Sequence, residues 1–144
     1  MDGMMKTFPL KTLLAALTAL ALLGCTTKPP STEIKREILL QSSKSWDSTP
    51  YVRYPDAAPE LTVLKLTIPA NSKLPWHTHP IPNAAYILSG ELTVEDRNSG
   101  QTRRIKQGEA LAEMVNITHR GVTGDEPVEL VVFYAGSEGI PLAE

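Results

Sequence analysis

The sequence predicts an all-β domain, a sandwich or barrel of short strands. Beyond Cys25 no stretch of useful length carries the apolar spacing of an amphipathic helix. Short apolar or alternating runs stand there instead, separated by Pro, Gly, Asn and Asp, the residues that stop strands and make turns. With 144 residues, 42% hydrophobic and 21% charged, the chain suits one globular domain. No internal repeat is visible. A net charge of −2, with Lys and Arg scattered rather than striped, excludes a basic field for nucleic acid.

The N-terminus stands apart from that domain. Lys6 and Lys11 precede an apolar run from Leu13 to Leu23, which ends in Gly24-Cys25. A basic start, a short apolar stretch and small residues at its end describe a secretory signal over residues 1–24. At ~1.5 Å per residue this run covers roughly 17 Å, about half of a ~30 Å hydrocarbon core, so a permanent transmembrane helix is the poorer reading. Leu22-Leu23-Gly24-Cys25 resembles a bacterial lipobox, with the only cysteine at the modified position. The resemblance implies cleavage before Cys25, a thioether-linked diacylglycerol and an acylated amino terminus, with chains such as palmitate. The alternative is that Cys25 is incidental, beside an ordinary cleavage site. A lone cysteine has no disulfide partner, and lipidation accounts for it. Two or three acyl chains exceed the single chain that binds only marginally, so the membrane anchor is expected to be stable. Thr26 is not acidic, which by the same resemblance favours the periplasmic side of the outer membrane over the inner one. Residues 25–36 then form the lipidated cysteine and a flexible tether, polar and proline-rich from Thr26 to Thr32. Residues 37–144 form the barrel domain.

Within the domain, Ile38-Leu39-Leu40 starts a first strand. Pro50, Pro55 and Pro59 mark an irregular stretch with Trp46, Tyr51 and Tyr54, read as a flap over a sheet. Leu61 to Ile68 alternates, with Leu64, Leu66 and Ile68 on one face and Val63, Lys65 and Thr67 on the other; Pro69 stops it. Asn83 to Leu88 is another strand, and Ser89-Gly90 turns it into Glu91 to Glu95. Arg97-Asn98-Ser99-Gly100 is a hairpin signal, since Asn and Gly tolerate positive φ. Ile105 lies on the return strand, Gly108-Glu109 begins the next, and Glu129 to Tyr134 is a β-branched, apolar strand. Some eight short strands are expected.

The three histidines are His77, His79 and His119. On a strand, residues two apart project to the same face, so His77 and His79 would point into one space at a separation that suits a single transition metal. Trp76 and Thr78 would face away. A lone His-x-His is often merely exposed; the downstream order of Asn83, Gly90 and His119 strengthens the pair.

That order carries a resemblance. Asn71-x5-His77-x-His79-x3-Asn83-x6-Gly90 resembles the first motif of the cupin family, with Asn71 in place of a glycine and Asn83 in place of a glutamate ligand. Gly108-x5-Met114-x-Asn116-x2-His119-x3-Thr123 resembles the second, with Met114, Asn116 and Thr123 replacing Pro, Gly and Asn. The resemblance implies a double-stranded β-helix, or jelly roll, with a metal inside the barrel held by His77, His79 and His119. It also implies dimers through edge strands.

Neutral imidazoles suit Fe, Mn, Co, Ni, Cu or Zn and do not suit Ca or Mg. Asn83 can offer a weak amide oxygen or an outer hydrogen bond, leaving a more open centre than a glutamate would. The alternative is an apo barrel whose histidines line a polar pocket. Glu113 is the nearest other carboxylate, and the candidate catalytic residue. It could orient His119, approach the metal itself, or face solvent at a strand end. Tyr86 falls on the other face of its strand from Asn83 and is read as core; Arg120 could attract an anion. Two functions remain: a metal-dependent oxygenase or isomerase of a small molecule, with Glu113 or water handling protons, or a non-catalytic module that captures a small ligand or metal. No serine triad, reactive cysteine or phosphate loop is present.

Overall fold

The computed structural model describes residues 32–144, together with Met1 and Gly3. The expected signal, Cys25 and most of the tether lie outside the described residues. By its contacts the chain divides into Met1–Lys35 and Arg36–Glu144, and the fold is that of the second unit. Its strands are β1 Pro59–Ile68, β2 Asn83–Ser89, β3 Glu91–Asp96, β4 Thr102–Lys106, β5 Ala110–Ala112, β6 His119–Thr123 and β7 Val128–Ser137. Seven strands form among the described residues, where eight were expected, and no helix.

Two antiparallel sheets result, ordered β1-β7-β2-β5 and β4-β3-β6. The alternation of β1 is realised: Leu64, Leu66 and Ile68 turn inward, while Val63, Lys65 and Thr67 are exposed. Ile87, Leu130 and Val132 from one sheet share a single core cluster with Leu92, Val94 and Ile105 from the other. Burial of these apolar faces against each other is what holds a two-sheet domain together. Gly90, at φ +80, carries the chain from β2 in one sheet to β3 in the other. A Cβ there would stand 2.5 Å from the Pro127 carbonyl oxygen, so the crossing needs glycine for space as well as conformation. The expected hairpin after β3 forms, with the Asp96 carboxylate accepting from the Asn98 and Ser99 amides.

Several expectations are corrected. Ile38-Leu39-Leu40 is not a strand, and Ile38 is 75% exposed. A run of three apolar residues has no ladder partner here, and without one the backbone gains nothing from extending. His77 and His79 lie on an extended segment outside the named strands, because the prolines at 75 and 80 offer no N–H to a ladder. Tyr86 is half-buried on the outer sheet face rather than core, its strand alternating in phase with Asn83, Ala85 and Ile87. Of the expected flap, Trp46 packs against the core and donates its amide to Ala112 O (3.0 Å), shielding the edge of β5, while Tyr54 is 70% exposed.

Candidate metal centre

The site begins with backbone pairing. His77 exchanges both amide hydrogen bonds with His119 at the start of β6 (3.0 and 2.9 Å), and Thr78 does the same with Glu144 (2.9 and 3.0 Å). The His-x-His segment is thus clamped on two sides. Extended geometry still turns residues 77 and 79 the same way, and the ligand nitrogens of His77, His79 and His119 all lie within 4.8 Å of one another. Two other polar side chains join them in a cavity of about 60 Å³: Glu113, one residue past β5, and Tyr134 on β7. Aliphatic side chains, among them Leu66, Leu74, Leu92 and Leu130, line the rest.

The outer nitrogen of each ring is committed. Nδ1 of His77 meets Pro75 O at 2.9 Å, that of His79 meets Leu142 O at 2.7 Å, and that of His119 meets Ile117 O at 2.7 Å. A carbonyl oxygen only accepts, so each Nδ1 must carry the proton and donate. In the neutral ring the lone pair then sits on Nε2, which is how a protein prepares histidine for metal. Burial pushes the His79 pKa down to about 4, opposed by its bond to Leu142. Burial lowers His119 as well, opposed by its bond to Ile117. Both rings therefore stay neutral at neutral pH.

Glu113 is fully enclosed, and burial pushes its carboxyl up to about 7. Its Oε2 lies 3.5 Å from His119 Nε2, and neither atom has a hydrogen-bond partner. Two acceptors face each other here, so a proton or a cation belongs between them. Donors bound at ~2.1 Å to one ion at a tetrahedral angle stand about 3.4 Å apart, so the observed separation fits a shared metal. Glu113 Oε2 faces the Nε2 side of the His119 ring. Orientation through Nδ1 falls to Ile117 instead, and the carboxylate does not face solvent.

Asn83 is buried on the inward face of β2, with its amide donating to Ile81 O (3.2 Å) and its Oδ1 unpartnered. It is not among the residues lining the histidine cavity. Arg120 lies outside as well: its Nε donates to Glu95 (2.8 Å) and its guanidinium covers Trp76 at 4.2 Å. The two asparagines that replace motif glycines keep the glycine conformation, Asn71 at φ +53 and Asn116 at φ +58. Thr123, replacing the motif asparagine, donates its hydroxyl to Pro69 O (2.7 Å) and accepts from the Ser72 amide (2.9 Å), tying the start of β1's following loop to β6.

Sequence reasoning missed two contributors. Tyr134 sits edge-on to His79, with ring centroids 5.6 Å apart, and is only 4% exposed. Burial, with the Glu113 charge second, pushes its phenol up to about 12. Its place at the end of an apolar strand hid it, although its spacing from Leu130 and Val132 marks it as inward. The Leu142 carbonyl is invisible to any side-chain motif.

Comparison with known proteins agrees with this architecture. The cupin domain family matches residues 64–134. No curated protein matches the chain. Among solved structures it is similar to DMSP lyase DddQ from Ruegeria pomeroyi DSS-3, at 25% identity and TM-score 0.51 over 56% of this chain and 41% of that one. It is similar in fold to the oxalate decarboxylase of Lactobacillus farciminis in its formate complex, at 19% identity and TM-score 0.51 over 58% of this chain and 26% of that one. A cupin-like protein from Thermotoga maritima shares the fold at 17% identity and TM-score 0.50, over 58% of this chain and 62% of that one. The chain spans well under two thirds of either enzyme's length. Family match, two-sheet fold and histidine cluster meet in the same residues: positions 64–134 match the cupin domain family, and they hold three histidines that could bind a metal.

Proposed function

We propose that this domain binds one divalent transition-metal ion through Nε2 of His77, His79 and His119, with Glu113 as the carboxylate at the same centre, and that the centre acts on a small molecule as an oxygenase or isomerase. One observation carries the reading: all three Nδ1 atoms are tied to backbone carbonyls, which leaves the Nε2 lone pairs of three clustered imidazoles available, with His119 Nε2 and the buried Glu113 Oε2 both unpartnered. A bound ion would supply Lewis acidity toward a ligand oxygen or nitrogen. This chain's own residues then exclude water through the leucine walls, hold the imidazole tautomers through Pro75, Leu142 and Ile117, and place a carboxyl and a phenol beside the ligand.

The second reading is a non-catalytic module that captures a small ligand or the metal itself.

The same proposal includes an exported location. Lys6, Lys11, the apolar run and Gly24-Cys25 support cleavage before Cys25 and lipid anchoring on the periplasmic side of the outer membrane, with residues 25–36 as tether.

Elemental analysis of untagged protein tests the metal. About one transition-metal ion per chain is expected, lost in His77→Ala, His79→Ala and His119→Ala. A stoichiometry near zero under metal-replete conditions would overturn the reading in favour of an apo pocket.

A further inference from the structure

The outward side chains of the first sheet form apolar rows. Val63, Phe133, Ala84 and Ala112 make one row across all four strands, and Leu61 and Ala135 stand in the row before it. The row after it holds Lys65, Val131, Tyr86 and Ala110. Its single charge, Lys65, is met by Glu129 at 3.2 Å. β7 is therefore apolar on both sides, with Leu130 and Val132 turned inward and Val131, Phe133 and Ala135 turned outward. A strand of that kind belongs to a sheet covered on both faces, whereas a sheet with one solvated face alternates apolar and polar. Among the described residues nothing covers the ridge on this face: Leu61 is 67% and Val63 64% exposed.

The second sheet is the contrast. Its outward positions carry Glu91, Glu95, Arg104, Lys106 and Arg120, which pair with one another. No exposed large hydrophobic residue lies on β3, β4 or β6. One face of the domain is built for water and the other is not.

Relief, charge and area decide what fits the apolar face. Beside the ridge of Leu61, Val63 and Phe133 runs a groove of about 620 Å³, lined by Ala84, Ala112 and Ala135 and by residues of the 40–54 segment. A two-fold pair needs ridge and groove on one surface, since each copy then offers what the other receives. The Lys65–Glu129 ion pair leaves no net charge there to repel a second copy. Four strands at ~4.8 Å spacing and ten register pairs at ~3.4 Å give a footprint of up to about 650 Å² before side-chain relief is counted. The 40–54 segment, with Val52 and Tyr54 exposed beside the groove, widens it toward the about 800 Å² per partner of a stable interface.

We propose that the outer face of the β1-β7-β2-β5 sheet is the interface between two copies of this chain, packed face to face about a two-fold axis, the ridge of each in the groove of the other. This is a contact of faces, not the pairing of edge strands expected from the sequence. The edge of β5 is already shielded by Trp46.

Sedimentation equilibrium of the full chain, in density-matched detergent, reads the number of copies per particle. Two are expected for wild type. Val63→Glu and Phe133→Glu each place a charge on the face without touching the core, and each should weaken self-association by about a hundredfold or more, the scale of a central contact. Phe133→Leu should keep the pair, and so should Thr93→Glu on the outer face of the other sheet. Thermal melts confirm that each variant is folded. A wild type with one chain per particle overturns the proposal and leaves the face to a partner of another kind. A pair that survives both glutamate variants overturns it in favour of the edges. Dissociation by Thr93→Glu to the same degree overturns the assignment to this face.

Discussion

Replacing Glu113 with Gln separates a metal-bound carboxylate from a merely protonated one. Burial holds the folded carboxyl up to about 7, against 4.5 for the free group. Below pH 4.5 the group is protonated in both folded and unfolded states and contributes no pH dependence. Above it the unfolded state ionises first, so the stability this group confers is lost as pH rises through about 7. The loss totals about 2.5 × 1.36, or about 3 kcal/mol by pH 8. Gln has the same shape and does not titrate. In chelator, Glu113→Gln should therefore match wild type near pH 4.5 and exceed it by up to about 3 kcal/mol at pH 8, or roughly 10 °C in melting temperature. With zinc in excess that advantage shrinks or vanishes, because the variant lacks an anionic partner for the ion and gains less from it. Loss of such a group typically costs ten- to a hundredfold in metal affinity, about 1.4–2.7 kcal/mol. Thermal melts at pH 5 and pH 8, each in chelator and in zinc, read all four arms. Parallel melting of the two proteins at both pH values in chelator would refute the buried carboxyl. An equal gain from zinc in both would refute its place at the metal.

The other expectations are narrower. With His79 buried neutral at a pKa of about 4, metal-free protein should lose stability as pH falls from 6.5 toward 4, because only the unfolded state takes the proton readily; urea titrations in a Glu113→Gln background, free of the opposing Glu113 slope, measure it. Asn116→Ala puts at φ +58 a residue without the short polar side chain that makes Asn tolerant of this region and should destabilise by up to about 1 kcal/mol, whereas Asn116→Gly should not, as denaturant midpoints will show. Cys25→Ser should leave the chain unprocessed or released from membranes, and mass spectrometry of the native amino terminus should find an acylated Cys25; an unmodified cysteine there would end the lipid-anchor proposal.

The strand alternation of β1 and the turn chemistry at Gly90 and residues 97–100 were legible because each is a local rule: period two, and tolerance of positive φ. The histidine cluster was legible because spacing alone turns residues 77 and 79 the same way, on a strand or off one. Ile38-Leu39-Leu40 misled because apolar character says nothing about whether a ladder partner exists. Glu113 could be named but not placed, since its contact with His119 Nε2 is set by how two sheets face each other. Tyr134 and the Leu142 carbonyl escaped for a related reason. Both reach His79 across more than fifty residues of chain, and one of them acts through its backbone.

The central claim is that an ion sits among three Nε2 atoms and one carboxylate. An anomalous-difference map, recorded at the absorption edge of whichever metal elemental analysis finds, measures this directly. A single peak is expected inside the barrel, at roughly 2.0–2.2 Å from Nε2 of His77, His79 and His119 and from a Glu113 oxygen. An interior without a peak, or a peak bound through Nδ1 with the carbonyl bonds of Pro75, Leu142 and Ile117 broken, would contradict it.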